Sequence, residues 1–116
     1  MATILHVAHR QDWDDAQSSG VYRVSTRGAT LSDVGFIHAS FPGQIAAMAE
    51  AFYADDPAEL VVLVLESNEI EAAGVRVVVE DGGAGEGFPH IYGAIRSSSV
   101  REARPAGFTD DGRFHY

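Results

Sequence analysis

The chain reads as a single α+β domain, and three observations lead there. Ile45, Met48, Ala49 and Phe52 recur at i, i+3, i+4 and i+7, which predicts one amphipathic helix over 43–54. Leu60 to Glu66 is β-rich and apolar on both faces, the pattern of a strand buried inside a sheet. The remaining strand-like segments outnumber the helical ones and do not alternate with them, so the chain lacks the βαβ rhythm of a parallel sheet.

Taken in order, Ile4 to Ala8 forms a first strand with Ile4, His6 and Ala8 on one face. Arg10 to Ser18 is polar except for Trp13 and Ala16, three apart, and Gly20 supplies a helix stop. Val21 to Val24 reads as a second strand and Ser25 to Val34 as a loop. The stretch Gly35 to Gln44 then runs from a short strand into the main helix, with Pro42 suited to the first helical turn. Asp55-Asp56-Pro57 ends that helix. After the central strand, Asn68 to Ala73 makes a helical turn closed by Gly74, and Val75 to Glu80 makes another strand. Asp81 to Gly87 is a glycine-rich flexible loop without the lysine of a phosphate loop. Phe88 to Gly93 is extended, Val100 to Ala103 adds an edge strand, and Arg104 onward reads as a loose tail. One domain spans 1–116, with a core over about 3–103 and no internal repeat.

Charge and composition narrow the function. There are 8 arginines, no lysine and 17 acidic residues, a net charge of −9. A surface of that sign repels phosphate backbones and argues against non-specific nucleic-acid binding, while a local arginine can still hold a small anion. The absence of cysteine excludes disulfides, thiolate nucleophiles and zinc–thiolate sites. No basic segment precedes a long apolar one at the start, and the longest apolar run, Leu60 to Leu65, is far short of a membrane span. A cytoplasmic location without membrane partners is expected.

The candidate chemistry lies in two similar faces. Phe36, His38 and Ser40 share one side of a strand, presenting ring, imidazole and hydroxyl. Phe88, His90 and Tyr92 repeat the same three chemistries on another extended segment. Adjacent, they would wall a small-ligand pocket beside the amides of a helix N-terminus. The competing reading is two half-buried strands whose histidines are hydrogen-bonded core residues. His6, His38 and His90 as a three-nitrogen metal site lack any spacing that fixes them, and no metal is expected. Ser40 lacks the sequence of a nucleophile elbow.

The order of these segments is itself distinctive. His6, Trp13, Gly20-Val21-Tyr22, Gly35-Phe36-Ile37-His38-Ala39-Ser40 with Gln44, the Leu60 strand and Phe88-Pro89-His90-Ile91-Tyr92-Gly93 together resemble the bacterial domain-of-unknown-function family nine-five-two. The resemblance covers about residues 3–103. It implies an ADP-ribosyltransferase-like fold, a mixed, split β-sheet around a cleft for an NAD-like ligand. It further implies that His6 contacts the nicotinamide ribose, that His38 contacts the ring, and that Glu80 supplies negative charge, as the three catalytic positions. Trp13, Tyr22, Phe36, Ser40, His90 and Tyr92 would then bind the ligand. The expected function is cleavage or transfer at the nicotinamide–ribose bond of NAD, as substrate rather than cofactor, or action on a phosphorylated nucleotide. The alternative is a non-catalytic metabolite-sensing or protein-interaction module using the same cleft.

Overall fold

A computed structural model describes residues 2–81 and 85–116. The centre of the glycine-rich loop expected over Asp81 to Gly87 lies outside the described residues. In chain order the elements are β1 (Thr3–His9), α1 (Arg10–Ser19), β2 (Val21–Tyr22), β3 (Val24–Thr26), β4 (Ala29–Thr30), α2 (Leu31–Val34), β5 (Ile37–His38) and α3 (Ile45–Phe52). There follow β6 (Leu60–Glu66), α4 (Ser67–Ala72), β7 (Arg76–Asp81), β8 (Gly87–Tyr92), β9 (Ile95–Arg96), a 3₁₀ turn over Ser97–Ser99, β10 (Glu102–Phe108) and β11 (Phe114–His115).

The strands form two principal sheets, β1-β6-β10-β11 and β5-β8-β7, with two minor pairs, β2-β9 and β3-β4. The sequence places the strands near Ile4, Phe36, Leu60 and Val75 in one sheet; the structure divides them between two. Every strand pairing among the described residues is antiparallel, which corrects the mixed sheet expected above. The two sheets are stitched where β1 meets the residues after β5: Leu5 and Ser40 exchange both backbone hydrogen bonds at 2.8 Å.

The β1-β6 pair is the spine of the molecule. Its seven-residue register sets Ile4 against Leu65 and Ala8 against Val61. Both faces are covered, which explains why β6 is apolar throughout. On one side Leu5, Val7, Leu60 and Val62 pack against Ile45, Met48 and Ala49 of α3 and against Phe114. On the other, Ile4, Ala8, Val61, Leu63 and Leu65 pack against Trp13, Ala16, Tyr22, Ile37, Ile70 and Ile91. The stripe predicted on α3 therefore holds for three of its four members. Phe52, the last residue of the helix, lies beyond the sheet and is 64% exposed.

Three further expectations are corrected. Ser25 to Val34 is no loop but the β3-β4 hairpin followed by α2, turned at Gly28 with φ +77°. Pro42 precedes the helix, in a turn where the Phe41 N–H bonds the Gln44 side chain at 2.9 Å. The tail is ordered. Glu102 to Ala106 pairs with β6, and β11 returns along β10 to bury Phe114. Its Pro, Gly and Asp content signals a loop locally, but the open edge of β6 supplies the pairing from far away in sequence.

No helix among the described residues is long and apolar enough to cross a membrane. The packing of the tail gives a direct test. Phe114→Ala should lower the unfolding free energy by about 2–3 kcal/mol and the melting temperature by several degrees in thermal denaturation. A melting temperature unchanged within a degree or so would mean the tail contributes nothing.

Candidate functional site

The antiparallel register of β5 on β8 decides the site. Ile37 faces Ile91 and His38 faces His90. Side chains alternate, so Ile37 and Ile91 enter the core while the neighbouring residues face the other way. The two repeated faces seen in the sequence do become one surface. The Phe36 ring stacks on His90 at 4.0 Å with planes 16° apart, and it touches Tyr92 at 5.6 Å. His38 lies 5.2 Å from the Phe88 ring and 5.6 Å from His90.

Part of this surface, Phe36, His38 and Phe88, is one wall of an open groove of about 430 Å³, within the range of small-molecule sites. Phe36, His38 and Phe88 come from the sheet, Met48 and Phe52 from the end of α3, Val34 from α2, and Ser25, Thr26 and Arg27 from the β3-β4 hairpin. The lining is chiefly aromatic and aliphatic. Two polar groups in it lack partners. Ser25 is 1% exposed and its Oγ has no hydrogen bond. Neither ring nitrogen of His38 is bonded within the described residues; only its carbonyl is engaged. Burial, and then the proximity of His90, hold the His38 imidazole down at about 4, so it is neutral at pH 7.

The other expected site residues sort differently. His6 is buried and fully used. Its Nδ1–H donates to the His38 carbonyl at 2.6 Å and its Nε2 accepts from the Tyr22 hydroxyl at 2.8 Å. Its neutral tautomer is thereby set, and burial pushes its pKa down to about 4. Trp13 and Tyr22 are core residues behind it. His6 has the hydrogen bonds of the core histidine weighed as the alternative above, on a strand buried on both faces. Ser40 is fully buried at the stitch, its Oγ unpartnered but away from the groove lining.

Glu80, His90 and Tyr92 form a separate cluster. One Glu80 oxygen accepts from His90 Nδ1 at 2.7 Å and also from the Tyr92 hydroxyl. The bond from Tyr92, then that from His90, holds the Glu80 carboxyl below its usual range. Arg76 lies 5.4 Å above the Tyr92 ring. None of the three lines the groove. The α3 N-terminus, offered above as an anion site, does not face it either; Met48 and Phe52 do.

The hairpin residues and Phe52 were missed by the sequence reading. Strands of two and three residues are too short to show a period, and Gly28 between β-prone segments was the one local cue. Phe52 looked like core because its spacing continued the helix stripe.

A family model described as "Protein of unknown function (DUF952)" matches residues 7–103. The chain belongs to the DUF952 family. The resemblance read from the histidine-containing motifs therefore holds at the level of family. Similar solved structures are those of protein CC0527 from Caulobacter crescentus. Its crystal structure shares 26% identity with this DUF952 chain, covers 98% of it and 94% of its own length, and has a TM-score of 0.82. A double-methionine variant gives the same figures. The solution structure gives 25% identity, a TM-score of 0.78 and coverage of 97% and 91%. No curated protein matches.

The buried histidine of this DUF952 protein makes stability pH-dependent. Folded His6 titrates near 4, against about 6.5 unfolded, so the unfolded chain binds more protons between those values. Stability is full above pH 6.5 and declines toward pH 4, by on the order of 2–3 kcal/mol from this group. His38, also held down at about 4, adds to the same decline, and the carboxylates held below their usual range, Asp33, Asp55, Asp56, Glu69 and Glu80, add theirs as pH falls below about 5. Chemical denaturation at pH 7.5, 5.5 and 4.5 should show this decline. A flat profile down to pH 4.5 would contradict the burial of a neutral His6.

Proposed function

We propose that this chain is a small-ligand-binding domain whose groove holds a planar heteroaromatic ring. The observation that carries the reading is the pairing of aromatic walls with the unbonded His38 imidazole. Phe36, Phe52 and Phe88 offer faces and edges for stacking. The neutral His38 ring, with neither nitrogen bonded, offers a donor and an acceptor in a chiefly apolar lining that Thr26 and Arg27 also edge. The nicotinamide of an NAD-like molecule, the ligand implied by the resemblance to ADP-ribosyltransferase-like proteins, has both a flat ring and an amide for these groups.

Binding is favoured over bond cleavage by the place of Glu80. Glu80 does not line the groove; one of its oxygens accepts from both His90 and Tyr92, and His90 stacks on Phe36. His6, the other residue assigned a catalytic part, has no free nitrogen. The metabolite-sensing alternative thus has more support than transferase chemistry.

Calorimetry with NAD, ADP-ribose and nicotinamide, together with an assay for released nicotinamide, tests this. Binding of nicotinamide, with no release of nicotinamide from NAD, is expected; steady release would restore the enzymatic reading. Ser25→Ala should raise stability by about 1 kcal/mol by removing the unbonded hydroxyl. His38→Ala should leave the melting temperature unchanged or higher, since its ring makes no internal bonds. His38→Ala should also weaken ring binding about tenfold. A clear loss of stability in His38→Ala, with affinity intact, would show that the groove is scaffold.

A further inference from the structure

We propose that the groove selects neutral or cationic ring ligands and discriminates against phosphorylated ones, with Asp55 and Asp56 as the specificity-determining residues. This rests on the ring-binding reading above and concerns the charge of the ligand.

Arg27 is the one arginine lining the groove, and the chain has no lysine. An arginine at the mouth of an aromatic pocket ordinarily invites a phosphate. Here its charge is already taken. Nη1 donates to Asp55 Oδ1 at 2.6 Å and to the Phe52 carbonyl at 3.1 Å. Nε lies 3.3 Å from Asp56 Oδ2. The Arg27 backbone N–H is held by the Tyr53 hydroxyl at 3.0 Å, so the residue is fixed at both ends. Asp56 is itself held, with a side chain 4% exposed, by His9 Nε2 at 2.6 Å and by the Ala58 N–H at 2.9 Å.

The balance at the mouth is one guanidinium against two carboxylates, with His9 beside Asp56. Inside the groove the imidazole is neutral, and no other charged residue lines it among those described. The whole chain adds a field of net charge −9. A ligand carrying a phosphate near Arg27 meets a carboxylate already on each engaged nitrogen, and bringing it there costs like-charge repulsion. A neutral base, or a cationic ring able to lie over Phe36 or Phe88, meets no such opposition.

Matched probes isolate charge from ring. Adenosine against AMP, and nicotinamide against nicotinate, each differ in a single anionic group. By calorimetry at low salt, the uncharged member of each pair should bind at least about fivefold tighter, and the gap should narrow at high salt. Asp55→Asn, at an 86% exposed side chain, should then raise the ratio of AMP to adenosine affinity about threefold or more. Equal or tighter binding of the anionic partners, or an Asp55→Asn ratio that does not move, overturns the charge rule and leaves ring binding standing. Binding of none of the four probes overturns the ring-binding reading and the charge rule with it.

Discussion

The whole arrangement depends on the junction between the two sheets. Leu5 and Ser40 join them through a pair of backbone hydrogen bonds, and His6, next in β1, reaches across to the His38 carbonyl and the Tyr22 hydroxyl. A strand as apolar as β1 accepts one imidazole because both ring nitrogens are satisfied; an unbonded buried polar side chain would cost far more. The bond to the His38 carbonyl anchors β5. That anchoring turns the His38 ring and Phe36 outward while Ile37 and Ala39 stay in the core. The histidine that the resemblance implies as a ligand contact thus spends both ring nitrogens inside the protein and fixes the strand that carries His38.

Much of this was legible where the signal is local and long. The seven residues of β6, the stripe of α3, Trp13 and Ala16 on α1, and the left-handed Gly20 stop all follow from periodicity and capping. The alternation that grouped Phe36 with His38, and Phe88 with His90 and Tyr92, also survived, because an antiparallel register brings the two segments into one surface. What could not be read was which residues pair at a distance. The β3-β4 hairpin is too short for a period, and Pro105 sits in a strand paired to β6 despite its composition. The role of His6 was hidden for a related reason: a strand buried on both faces gives no sign of which face meets a cavity.

The groove sets aromatic rings beside side chains without hydrogen-bond partners. Its aromatic rings are partly open to solvent, Phe52 most of all, and its buried hydroxyl lacks a partner. Packing alone would favour covering the first and replacing the second with a methyl group. The charged groups around it are, by contrast, carefully paired: Arg27 with Asp55 and Asp56, His90 with Glu80. An unbonded imidazole inside and paired charges outside are the observations on which the ring-binding proposal rests.

Titration of nicotinamide and adenosine into isotopically labelled protein, followed by amide and imidazole chemical shifts, tests this account most directly. The account predicts saturable changes centred on Ser25, Arg27, His38, Phe52 and Phe88, with His6 and the β10-β11 end undisturbed. Shifts concentrated instead at Glu80, His90 and Tyr92, or no saturable shifts with either compound, would contradict it.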